Sequence, residues 1–217
     1  MSGNSPVAVV FDMDGVLFDS ERISRMMWAR VGTEYGLSDI DTAVRDCTGS
    51  SRPDQFVYLR KKYGADFPAE AFRERCSFLF HSYVDANGLP LMPFAREILV
   101  YLKKQGYRLA LASSTQTKTV LKELGEAGLL DFFETVTCGD MVVHSKPDPE
   151  IYIRACESLG LVPRFCVAVE DSPNGVRSAY AAGMRCVMVP DQIQPDGQLR
   201  SLLWQCCASL EELMHFL

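Results

Sequence analysis

The stretch Val7-Ala8-Val9-Val10-Phe11-Asp12-Met13-Asp14-Gly15, residues 7–15, decides the reading of this chain. An apolar run leads directly into two carboxylates spaced i, i+2 and then a glycine. The run predicts a buried strand. Side chains at i and i+2 of an extended chain share a face. Asp12 and Asp14 would therefore point together into the crevice beyond the strand's carboxyl end, where open α/β sheets place their ligands. Paired acids there can hold a metal and divide nucleophilic from acid/base work. Asp and Gly are also ordinary turn residues, so the rest of the chain must discriminate. A calcium loop is excluded, because D-x-[DN]-x-[DN]-G needs a third oxygen ligand before the glycine.

Short apolar runs recur at 107–112, 135–138, 166–169 and 186–189. Helical patterns lie between most of them. Residues 97–104 carry Ile98, Leu99 and Leu102 on one face and stop at Gly106, and 118–124 repeat the arrangement with Val120, Leu121 and Leu124. Strands alternating with helices predict an α/β fold with a doubly wound, Rossmann-like parallel sheet. Residues 20–88 break the alternation: they show helical periods and no convincing strand. Ile23, Met26, Met27 and Val31 form one stripe, and Phe72, Cys76, Leu79, Phe80 and Tyr83 form another. Packing within an inserted helical domain accounts for both. The expected division is 1–18 with 89–217 as the core and 19–88 as the insert. The tail, 198–217, reads as a last helix packed on the sheet through Leu202, Leu203, Leu210, Leu213 and Phe216.

With 217 residues, 47% hydrophobic and 23% charged, the chain can bury a sizeable core in one domain with a smaller insertion. A net charge of −6 and the lack of a basic stripe argue against nucleic acid as a partner. The eight cysteines show no C-x-x-C spacing and read as reduced, buried thiols. The first residues have no basic region, and the apolar run after them is too short for a signal or membrane segment. No membrane partner and a cytoplasmic location are the expectation. His81, His144 and His215 have no ligand spacing.

The chemically suggestive residues each follow an apolar run. Asp12 and Asp14 follow the first, Ser113 the second, Lys146 comes past the third, and Glu170 and Asp171 follow the fourth. In a parallel sheet all these ends open on one side. A nucleophile, a hydroxyl donor, a cation and acidic metal ligands together make an inventory for phosphoryl transfer. Ser172-Pro173 reads separately as the N-cap and first residue of a helix that Gly183 ends.

The segments FDMDGVLFDS (11–20), LASST (111–115), SKPDPEIY (145–152) and VEDSPNGVRSA (169–179) resemble the four ordered motifs of the haloacid dehalogenase (HAD) superfamily. The likeness is to its β-phosphoglucomutase-like and small-phosphatase branch, which carries a helical cap after the first motif. The resemblance implies a phosphomonoester hydrolase of a small phosphorylated metabolite, a sugar phosphate foremost, working as a monomer. Asp12 would attack phosphorus to form an aspartyl-phosphate, and Asp14 would serve as general acid and base. Mg²⁺ would be held by Asp12, Asp171 and the backbone carbonyl of Asp14, with Glu170 close by or bound through water. Ser113 and Lys146 would bind the phosphoryl group, with Ser114 beside them and Thr115 and Gln116 toward the substrate.

Dehalogenation does not fit, since that branch lacks the second motif-one acid and the metal-binding pair. Sugar phosphomutases of the branch carry a histidine five residues after the last Asp of motif one; here that position is Ser24, which favours phosphatase over mutase. In Thr48-Gly49-Ser50-Ser51-Arg52, Arg52 resembles the cap-loop arginine that binds a second anionic group of the substrate. A phosphometabolite-binding or signalling module is the alternative of another class. Receiver domains share the Asp, hydroxyl and Lys but lack D-x-D-G and a helical cap.

Overall fold

A computed structural model describes residues 6–47 and 52–217. The first five residues and Thr48 to Ser51 of the cap-loop motif lie outside the described residues. In chain order, β1 (Ala8–Phe11) leads into α1 (Ser20–Glu34), α2 (Ile40–Cys47), α3 (Arg52–Tyr63) and α4 (Ala69–Asn87). Alternation then sets in with α5 (Ala95–Lys104), β2 (Arg108–Ser113), α6 (Thr117–Glu126), β3 (Thr135–Cys138), α7 (Glu150–Ser158), β4 (Cys166–Glu170), α8 (Pro173–Ala181) and β5 (Arg185–Met188). It closes with α9 (Gly197–Arg200), β6 (Gln205–Cys206) and α10 (Leu210–Phe216). Two compact units result, one joining the residues up to Asp19 with Leu89–Leu217, the other Ser20–Gly88.

In the first unit six parallel strands run in the order β3-β2-β1-β4-β5-β6. The central strand explains its own sequence. Val9 and Phe11 enter an apolar cluster with Leu99, Leu102 and Leu213, while Ala8 and Val10 enter a second one with Tyr152, Ala155 and Val176 on the other face. A strand covered on both faces has no solvent side on which to place polar residues. The chain leaves β1 for β2 and β3 on one side and later returns to β4 on the other. This reversal of strand order is the switch point at which such sheets open a ligand crevice, and Asp12 follows β1 at that point. Its N–H still donates to Val169 O, 2.9 Å, so the first carboxylate is held on the last rung of the ladder.

Where the tail was expected to form one helix, the structure has three elements. Leu199 is buried and Leu202 and Leu203 are partly buried against one sheet face; Gln205 and Cys206 add a two-residue edge strand; Leu210 and Leu213 pack α10 on the other face. Two half-buried residues are too few to show a strand period.

The second unit is all helical among its described residues. Ile23, Met27, Trp28, Val31, Phe72 and Cys76 share its core. Phe72 meets Trp28 and Tyr35 edge-on, each at 5.4 Å between ring centroids, a favoured aromatic geometry. Met26, placed in the buried stripe from sequence, is 44% exposed.

Candidate active site

The polar residues of the first unit's site are delivered by three strand ends and one loop. Asp12 and Asp14 follow β1, Ser113 ends β2, Glu170 ends β4 and Asp171 follows it, while Lys146 comes from the loop between β3 and α7. Gly15 makes the approach possible. Its φ is +75°, a left-handed conformation suited to glycine, and a Cβ there would lie 2.4 Å from Asp171 Oδ2. The first and fourth motifs can therefore close on each other only over a bare α-carbon.

Lys146 is the hub. Its Nζ donates to Asp12 Oδ1 and Glu170 Oε1, both at 2.6 Å, and to Ala112 O at 3.1 Å. Its side chain is 7% exposed, so these bonds form in a medium where charge is poorly screened. Burial opposes the ammonium, but Asp12 and Glu170 outweigh it and hold Lys146 well above its usual range. Burial pushes the Asp12 carboxyl up to about 7, helped by Glu170 and Asp14 and resisted by Lys146. Asp14 is half-buried, and its Oδ2 accepts from Thr115 Oγ1 at 3.0 Å. Ser113 is fully buried; its Oγ accepts from the Thr115 N–H at 3.1 Å, which leaves its own O–H to donate.

Glu170 is held by donors on both oxygens. Oε1 accepts from Lys146 and from Tyr152 OH, 2.7 Å; Oε2 accepts from Ser172 Oγ, 3.1 Å, and from the N–H groups of Asp171 and Ser172. Ser172 Oγ in turn accepts from Gly175 N at 3.1 Å, capping α8 ahead of Pro173. Asp12, Glu170 and Asp171 each offer an oxygen within 4.8 Å of the others. Oxygen-only, anionic donors with a single buried ammonium among them suit a hard divalent cation such as Mg²⁺.

Asp12, Asp14, Ser113, Lys146, Glu170 and Asp171 thus converge as their strand positions require. Ser114 and Gln116 are exposed beyond β2, and Arg52 is exposed at the start of α3 in the other unit. Tyr152 and Glu123 were not singled out from sequence. Tyr152 stands in the SKPDPEIY segment, six residues after Lys146, where its hydroxyl was the available signal. Glu123 lies on the apolar face of α6 between Val120 and Leu124, a buried position where a carboxylate is out of place.

Residues 9–189 match the family described as haloacid dehalogenase-like hydrolase. The chain belongs to that family. It is 34% identical over 181 residues to the phosphorylated carbohydrates phosphatase of Thermotoga maritima, covering 82% of each chain. It is also 34% identical over 191 residues to hexitol phosphatase B of Escherichia coli, covering 85% of this chain and 83% of that one. Among solved structures, a HAD family hydrolase from Deinococcus radiodurans with bound phosphate and sodium superposes with a TM-score of 0.81 at 29% identity, over 97% of this chain and 94% of that one. Among the described residues no helix is long and apolar enough to cross a membrane.

Proposed function

We propose that this HAD hydrolase is a Mg²⁺-dependent phosphatase of small phosphorylated metabolites, sugar phosphates foremost. The supporting observation is the Lys146 ammonium shared between Asp12 and Glu170 beside a second, separately held acid, Asp14. Family relatives named as phosphatases of phosphorylated carbohydrates and of hexitols point the same way.

Asp12 attacks phosphorus while the bond to the leaving oxygen breaks, giving an aspartyl-phosphate and the free alcohol. Asp14 gives its proton to that oxygen. It then takes a proton from the water that attacks the phosphoryl group, which releases inorganic phosphate and restores Asp12. Acid/base transfer of this kind contributes roughly 10²–10⁴-fold. Phosphate-monoester hydrolysis needs up to ~10²¹-fold, so charge neutralisation and positioning carry most of the rate. Lys146 supplies fixed positive charge and Ser113 a hydrogen bond to the phosphoryl oxygens. Mg²⁺, held by Asp12, Asp171 and the Asp14 carbonyl with Glu170 beside them, would neutralise phosphate charge. The helical unit serves as the cap of this reading, and Arg52 selects substrates with a second anionic group. The protein acts as a cytoplasmic monomer.

The test is inorganic phosphate release across a panel of phosphometabolites, with Mg²⁺ and with EDTA. Mg²⁺-dependent release, abolished in Asp12→Asn, is expected, and Arg52→Ala should raise KM for bisphosphates and sugar-acid phosphates while sparing simple monophosphates. Release that survives in Asp12→Asn would overturn the nucleophile, and no release from any substrate would overturn the phosphatase.

A further inference from the structure

Tyr152 is fully buried in the apolar cluster on one face of the sheet, among Ile151, Ala155 and Cys156, where a phenylalanine would fill the same space. Its hydroxyl is nevertheless aimed at the site. It donates to Glu170 Oε1 at 2.7 Å and lies 3.4 Å from Lys146 Nζ, while the ammonium sits 4.9 Å from the ring centroid. A buried hydroxyl is costly unless bonded, and among the described residues its hydrogen-bond partners are these two.

We propose that Tyr152 is a positioning residue for the Asp12 nucleophile, acting through Glu170 and Lys146. The proposal rests on the reading of Asp12 given above. Asp12 Oδ1 and Glu170 Oε1 compete for one ammonium at equal distances of 2.6 Å. A hydrogen bond donated to Oε1 withdraws part of its charge and weakens its pull. The ammonium therefore stays with Asp12, where charge rearranges as the phosphoryl group arrives. A phenol is protonated at neutral pH, so it remains a donor throughout.

Tyr152→Phe keeps the ring and removes only the donor. Its kcat should fall at least tenfold, with KM within about twofold and a nearly unchanged unfolding midpoint. Because Tyr152 acts through Glu170, the double variant with Glu170→Gln should be no slower than Glu170→Gln alone. A crystal structure of Tyr152→Phe should show Lys146 Nζ drawn away from Asp12. Undiminished kcat, losses that multiply in the double variant, or an unaltered Lys146–Asp12 contact would each overturn the proposal. Absence of phosphate release from the wild-type protein would refute the phosphatase reading by itself, and the crystallographic comparison would still decide the role of Tyr152.

Discussion

Thr115 Oγ1 donates to Asp14 Oδ2 at 3.0 Å, while the Thr115 N–H donates to Ser113 Oγ at 3.1 Å. One residue just past β2 therefore braces both the second acid of the β1 turn and the hydroxyl that ends β2. The side-chain bond fixes one Asp14 oxygen, so the carboxyl presents its other oxygen in a defined direction.

Thr115→Val preserves shape and the backbone bond to Ser113 but deletes the donor to Asp14. If Asp14 is the general acid, its placement matters most when the leaving group is a poor one. An alkyl phosphate should lose roughly tenfold or more in kcat, a fraction of the 10²–10⁴ available to acid/base catalysis. A p-nitrophenyl ester, whose leaving group needs little protonation, should lose much less. Equal losses on both esters would refute this role.

Glu170 can be clamped on both oxygens only because residue 175 has no side chain. A Cβ at Gly175 would lie 1.8 Å from Glu170 Cδ. Gly175→Ala must displace either α8 or the carboxylate that anchors Lys146. Overpacking of this kind costs about 1–3 kcal/mol, which urea denaturation would read, and kcat should fall with it. Gly197→Ala is the control, since nothing lies within 4 Å of the added carbon, and it should leave both quantities near wild type.

The parts of this molecule legible in sequence were those where burial leaves one choice. β1 is covered on both faces and had to be apolar, and the ends of β2 and β4 carry Ser113 and the Glu170-Asp171 pair because the crevice opens there. The tail was not legible, because a two-residue edge strand has no period. Met26 lies at the margin of its helical stripe, where periodicity does not fix burial. Tyr152 sits at a helical position that any large apolar residue would satisfy, so its pattern records packing and hides the bond to Glu170. Thr115 was legible as a neighbour of the site but not as a partner of Asp14, which is 101 residues away in sequence.

Glu123 gives the protein a pH dependence whose sign follows from its surroundings. The side chain is buried on α6, and burial, then the charge of Asp14, push its carboxyl from 4.5 up to about 7. The folded state thus keeps a proton that the unfolded chain releases near pH 4.5. Between these values the native state binds more protons, so stability falls as pH rises; the contribution is fully present below about 4.5 and lost through pH 7. Glu123→Gln stays neutral throughout. In EDTA, wild type and variant should unfold together at pH 4.5, and the variant should lead by about 3 kcal/mol at pH 8, the worth of a shift from 4.5 to about 7. For a chain of this length that is a midpoint difference of roughly 6–12 °C. Removing the neighbouring charge with Asp14→Asn should narrow the gap without closing it, because burial is the larger cause. A difference between wild type and Glu123→Gln that stayed constant from pH 4.5 to 8 would show that Glu123 does not hold its proton in the folded protein.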